Sequence, residues 1–211
     1  MTDQIIHRRW THPEAAYSEQ VHGWMKDIHT ACDFFERFVN EYNSPHPDTT
    51  LLEALGGAAV IAYGRCFIGG IREKLDPELL FAGKTSEEAS LHDRILAVRS
   101  LHVAHAVNKQ EAHTLMVKLA QEPGGSLRVV GMSSRSSSRF PLSPDECTAA
   151  AALCKSWMKA LTVEHVREQQ RLLPFFLGMS AAELLALPED EIQPSLNVNA
   201  HRAQRKKSRH S

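Results

Sequence analysis

Apolar residues recur at helical spacing through the first half of the chain. In residues 15–42 they fall three or four positions apart, until Asn43-Ser-Pro-His-Pro interrupts the pattern. A second helix is predicted from Thr50, where Thr50-Leu-Leu-Glu53 fits a capping box, to about Leu75. A third helix is predicted to start at Ser86 and to include residues 91–105. We therefore expect long helices throughout this half.

The second predicted helix is rich in glycine. Glycine in a helix interior costs about 1 kcal/mol relative to alanine. We expect the backbone of a neighbouring helix to approach these positions closely, which would compensate for that cost. The positions are Gly56, Gly57, Gly64, Gly69 and Gly70.

The pattern changes after Asn108, where apolar and polar residues begin to alternate. Leu115, Val117 and Leu119 alternate with more polar residues, and Glu122-Pro-Gly-Gly-Ser then predicts a turn. These features predict a two-stranded hairpin over about residues 112–132, followed by a serine-rich loop at residues 133–138. Because an isolated two-stranded hairpin is only marginally stable, we expect it to lie on the helices.

Two helix starts are predicted in the last third of the chain. Ser143-Pro-Asp-Glu146 combines an N-cap, an early proline and acidic residues, and it begins a helix predicted to reach about Leu172. Ser180-Ala-Ala-Glu183 caps a short helix ending near Pro188. The predicted fold is mainly α, a bundle of about four to five helices with a small β-hairpin insertion.

Composition is typical of one soluble domain with short extensions. The 211 residues include 43% hydrophobic and 23% charged residues, and the net charge is −1. No segment has the length of a membrane span or the pattern of a signal peptide, so a cytoplasmic location is expected. We assign residues 1–13 to an N-terminal extension, 14–188 to the helical domain and 189–211 to a tail predicted to be disordered.

The tail is basic, and two interpretations of it stand open. It can attract RNA, DNA or an acidic partner by charge, or it can act as a solubilising end. The cysteines Cys32, Cys66, Cys147 and Cys154 are scattered, so neither a disulfide framework nor a zinc site is predicted. No cofactor is predicted. The basic residues of the tail are Arg202, Arg205, Lys206, Lys207 and Arg209.

Candidate chemistry lies in residues 91–105. Arg99, His102 and His105 are spaced three apart, so consecutive members are neighbours on a helix surface beside an apolar stripe. An arginine can hold phosphate oxygens, and a histidine can transfer protons near neutral pH. This combination of residue types favours a site for a phosphate group.

The same segment resembles the signature helix of the HEPN superfamily, in particular bacterial HEPN-like proteins grouped with abortive-infection factors. The resemblance rests on the pattern Leu-His-x-x-x-Leu-x-x-Arg-x-x-His-x-Ala-His and on the upstream Ala62-Tyr-Gly-Arg-Cys-Phe67. HEPN ribonucleases carry an arginine, four to six residues and a histidine; here five residues separate Arg99 from His105. Ser100 stands where active members often have a polar amide or an acid.

The resemblance implies a homodimer that brings two copies of this helix together around a cleft. The implied activity is metal-independent RNA cleavage, in a toxin or phage-defence setting, with an antitoxin or another regulatory protein as a further partner. Arg99, His102 and His105 would be catalytic. Ser100, Tyr63 and Arg65 would contact the RNA.

Other hypotheses fit the same residues. The first is a non-catalytic dimeric module that binds RNA or a protein partner, since fold alone does not establish activity. In that case Tyr63 and Arg65 serve packing and surface ion pairing. A metal on His92, His102 and His105 is the least favoured, because no carboxylate joins them at ligand spacing.

Overall fold

The chain forms a helical bundle with a β-hairpin, in a computed structural model that describes residues 6–69, 72–82, 86–100, 112–137 and 140–189. The helices are α1 (Ala16–Tyr42), α2 (Thr49–Phe67), α3 (Glu78–Phe81), α4 (Ser86–Val98), α5 (Pro144–Leu177) and α6 (Ala181–Ala186). Strands β1 (Ala112–Gln121) and β2 (Leu127–Ser137) pair antiparallel between α4 and α5. This confirms the predicted mainly α class with a hairpin, although the described residues form six helices because α3 was not predicted.

Helix α1 packs against both α2 and α5, and α4 contacts α2 and α5. The three- and four-residue spacing of apolar residues in α1 gives it one buried stripe, as the sequence predicts. The four cysteines are buried and free, and they pack as small apolar residues. The fully buried larger side chains of this core are Val21, Ile28, Phe35, Val60, Tyr63, Ile95, Leu153, Trp157 and Leu161.

Both ends of α2 differ from the prediction. Asp48, not Thr50, is the N-cap, and its carboxylate accepts from the backbone N–H of Thr50 and Leu51. The helix ends at Phe67 rather than near Leu75. Leu75 is buried in the following segment, and its N–H donates to the carbonyl of Cys66 (2.7 Å), so its apolar character reflects a returning loop.

The glycines of α2 face side chains rather than a helix backbone. A Cβ built at Gly56 would lie 2.6 Å from the ring of Phe140, and one built at Gly64 would lie 3.1 Å from Cγ of Arg99. At Gly57 a Cβ would meet nothing within 4 Å. The expectation of close backbone approach is therefore wrong at these positions, and two of the three glycines instead leave room for a large side chain.

The predicted start of α5 is confirmed. Ser143 and Glu146 form a reciprocal capping box, and Pro144 occupies the first turn. The helix extends to Leu177 rather than about Leu172 and includes Pro174 in its last turns. Ser180 likewise caps α6 through a capping box with Glu183.

The hairpin differs from the prediction in two respects. Strand β2 continues through Ser133–Ser137, because these residues pair with the first half of β1. The hairpin also does not lie on the helices: its large apolar side chains, from Leu115 to Met132, are 45% to 68% exposed. It therefore extends from the bundle as an arm. Among the described residues, no helix is long and apolar enough to cross a membrane.

Candidate functional site around Arg99

Arg99 directly follows the last residue of α4, where the helix widens into a π-helical turn at Arg99 and Ser100. Turns of this kind are rare in proteins, and those that do occur often lie at functional sites. Gly64 of α2 lies under the aliphatic stem of Arg99, since a Cβ there would be 3.1 to 3.6 Å from Cγ, Cδ and Nε. Arg99 is half-buried, and its stem packs on α2 at Gly64.

The guanidinium of Arg99 has no hydrogen-bonding or ion-pairing partner among the residues that the structure describes. Arg94, on the same helix, provides a contrast. It forms an ion pair with Glu146 and donates to the carbonyl of Pro141 (3.1 Å), which ties α4 to the start of α5. Arg99 thus retains donors that could bind an anion, whereas Arg94 has a structural role.

A buried polar network lies one residue from Gly64. The Tyr63 hydroxyl lies 2.8 Å from Nδ1 of His92 and accepts from Nε1–H of Trp157 at 3.1 Å. The other hydrogen bond joins the hydroxyl to Nδ1 of His92, and the tautomer of the histidine determines which of the two groups donates. The network joins α2, α4 and α5 through polar groups that are almost fully buried.

Burial dominates the ionisation of this network. It lowers the pKa of His92 below the ordinary 6.5, against the opposing effect of Asp93. It raises the pKa of Tyr63 well above 10.0, despite the hydrogen bond from Trp157, which acts in the opposite direction. The rings of Phe67, Phe81 and Trp157 surround the imidazole. Both Tyr63 and His92 are therefore held in their neutral forms.

Two residues that were predicted to contact RNA, Tyr63 and Arg65, interact with other residues of the chain instead. Tyr63 is fully buried and its hydroxyl is used internally, so direct contact with a substrate does not fit its position. Arg65 is exposed, and its guanidinium lies 3.7 Å from Asp27 of α1, an arrangement that agrees with surface ion pairing. Asp27 is also paired with Arg72 from the segment after α2.

Of the remaining predicted site residues, the structure describes Ser100 alone. Ser100 is half-buried and directly follows Arg99. His102 and His105 lie outside the residues that the structure describes. Among the described residues, no group of three or more histidine, cysteine or acidic side chains is arranged to hold a metal ion.

The sequence pattern did not predict the hydrogen bond of His92 or the contact between Gly64 and Arg99. His92 sits next to Leu91 in the apolar stripe, which is the one local sign of its burial. Its hydrogen-bond partner is 29 positions away in the chain, and the tryptophan that completes the network is on α5. No helical spacing rule connects such residues.

Neither protein-family models nor curated proteins nor solved structures give a match to this chain. The fold and site define a mainly helical protein with a projecting hairpin and an arginine held at a helix junction. Its function therefore has to be inferred from the chemistry of these residues.

Proposed function

We propose that the protein is a HEPN-like, metal-independent endoribonuclease that acts through Arg99 and His105 at a homodimer cleft. The observation that carries the proposal is the placement of Arg99: its stem lies over Gly64, while its guanidinium has no partner among the described residues. A half-buried arginine with free donors suits the two oxygens of a phosphodiester. The resemblance of residues 91–105 to the HEPN signature supports RNA as the source of that phosphate in this proposal.

The proposed reaction needs two proton transfers and stabilisation of a charge. His105 removes the proton of the ribose 2′-hydroxyl, whose oxygen attacks the adjacent phosphorus. The bond to the 5′-oxygen breaks, and His102 returns a proton to that leaving oxygen. Arg99 stabilises the negative charge that develops on the phosphorane. The products are a 2′,3′-cyclic phosphate and a 5′-hydroxyl, and the atoms balance without a metal.

The test is incubation of mixed cellular RNA with wild-type protein in EDTA, followed by analysis of the fragment ends. Arg99→Ala and His105→Ala are each expected to reduce cleavage by at least about 100-fold, because charge stabilisation and proton transfer each contribute on that scale. Arg167→Ala is the matched control, since Arg167 is an exposed arginine on α5 beside Glu164. Helical circular dichroism should be the same for all four proteins.

Two results would contradict catalysis: RNA left intact by wild-type protein, or equal cleavage by wild type and His105→Ala. The second candidate function is a non-catalytic binding module, which the exposed apolar side chains of the hairpin favour. For RNA binding, Arg99→Ala would then weaken the complex without any cleavage to lose. Electrophoretic mobility shift of the same RNA separates these outcomes.

A further inference from the structure

The hairpin has two chemically different faces. Residues paired directly across an antiparallel ladder point to the same side of the sheet. Leu115 pairs with Ser134, Val117 with Met132, Leu119 with Val129 and Gln121 with Leu127. One side of the sheet therefore carries an unbroken set of apolar side chains with a polar residue at each end. We call it the apolar face, and its members are Leu115, Val117, Leu119, Leu127, Val129 and Met132.

The opposite face is more polar. Lys118 pairs with Gly131, and Ala120 pairs with Arg128, so both cations project away from the apolar face. Arg128 forms an ion pair with Glu122 at the turn (3.0 Å). The bulge between Lys118 and Leu119 preserves this separation, because it places Val129 and Met132 on the same side despite their odd spacing.

The apolar face is as large as the largest exposed apolar patches of typical monomers. Its six side chains are each between 53% and 68% exposed. At about 1.45 Å² of accessible surface per dalton of unfolded chain, these fractions correspond to about 600 Å² in all. That value is at the upper end of the largest patches found on monomers, which reach about 600 Å². A two-stranded hairpin also needs packing on one face for stability.

We infer that the apolar face binds the same face of a second copy of this chain, so that the two hairpins stack as a small β-sandwich. Complete burial of the face on both copies would remove at most about 1,200 Å² from water, which is the lower end of the range of stable interfaces. The four central positions, Val117, Leu119, Val129 and Met132, are all apolar. A two-fold rotation in the plane of the interface therefore places apolar side chains on apolar side chains.

The distribution of charge and aromatic residues argues against a lipid surface as the occupant. Segments that bind at a membrane interface combine an apolar face with aromatic residues and accessible cations. Strands β1 and β2 contain no aromatic residue. Lys118 and Arg128 project from the opposite face, where they could not contact headgroups beneath the apolar one. This inference does not depend on ribonuclease activity.

The first test is the molar mass of the full-length protein by sedimentation velocity across a range of concentrations. Wild-type protein is expected to dimerise, and Val117→Lys to weaken the dimer at least about 100-fold, because each copy would bring an unpaired charge into an apolar interface. Met116→Lys is the matched control, since Met116 is the adjacent residue on the opposite face. An equimolar mixture of Val117→Lys and Val117→Glu should recover the dimer.

A cross-linking measurement addresses the same contact without adding charge. Val117→Cys should cross-link between copies with a short bis-maleimide, because stacked sheets lie about 10 Å apart, whereas Met116→Cys should not. The four native cysteines are buried. The inference is overturned by a wild-type monomer at all concentrations, by a dimer that Val117→Lys leaves intact, or by equal cross-linking of both variants. Val117-dependent flotation of the monomer with anionic vesicles would overturn it in favour of a membrane.

Discussion

Gly56 and Gly57 are adjacent residues of α2 whose missing side chains have opposite consequences. At Gly57 a Cβ would meet nothing within 4 Å, so Gly57→Ala should stabilise the protein by about 1 kcal/mol through helix propensity. At Gly56 a Cβ would lie 2.6 Å from the Phe140 ring, so Gly56→Ala should destabilise it by about 1 to 2 kcal/mol.

Urea unfolding of the two variants and wild type checks this prediction. Each variant is a control for the other, because both place the same methyl group in the same helix. Equal changes in the free energy of unfolding would show that Phe140 does not pack on Gly56. The sequence identified both positions as unusual, but it could not distinguish them, since Phe140 approaches from a segment more than 80 residues away.

Helix α2 depends at its start on the side chain of Asp48. That carboxylate accepts from two backbone N–H groups, at 2.8 and 3.2 Å. Asp48→Ala should therefore lower the free energy of unfolding by about 1 kcal/mol, as loss of an N-cap generally does. Thr50→Ala, at the cap predicted from sequence, should change it by less than about 0.5 kcal/mol because Thr50 is exposed and within the helix.

Thermal or urea denaturation followed at the helical circular dichroism band provides the comparison. A larger effect of Thr50→Ala than of Asp48→Ala would show that Thr50 is the N-cap, as the sequence predicted. The error in that prediction has a simple origin. Asp48 and Thr50 are both good capping residues, and the capping-box spacing to Glu53 favoured the wrong one.

The other helix starts and the hairpin show where local signals were sufficient. Ser143 and Ser180 each form the capping box that their spacing to a glutamate predicts. The hairpin was also recognised, since alternation and a Pro-Gly-Gly turn are local features. Its second strand was predicted too short, because the serines of residues 133–137 become strand only through their pairing with β1.

At the scale of the whole molecule, the stability of the bundle is coupled to pH through His92. This residue touches Tyr63 of α2, Phe81 of α3 and Trp157 of α5, and Asp93 is the charged group that opposes its shift. Burial lowers the pKa of His92 below 6.5 in the folded state. Between that lowered value and the unfolded value, the unfolded chain binds more protons, so stability falls as pH falls.

The expected result is a steeper loss of unfolding free energy in wild type than in His92→Gln as the pH is lowered from about 7 to about 5. Glutamine keeps an acceptor for the Tyr63 hydroxyl but does not titrate. His29→Gln is the control, because His29 is exposed and lies 3.3 Å from Asp33. Urea titrations at several pH values give the slopes. Parallel curves for wild type and His92→Gln would contradict the prediction.

Local sequence chemistry was enough to establish the mainly helical class, two of the capping boxes, the hairpin and the burial of the cysteines. These features depend on residues within one or two turns of each other, so periodicity and spacing describe them. Tertiary structure decided the features that depend on distant residues: Phe140 over Gly56, Arg99 over Gly64, and the joining of Tyr63, His92 and Trp157. It also decided that the hairpin projects with its apolar face uncovered. Periodicity shows that a face is apolar, but only the packing of the whole chain determines what covers it.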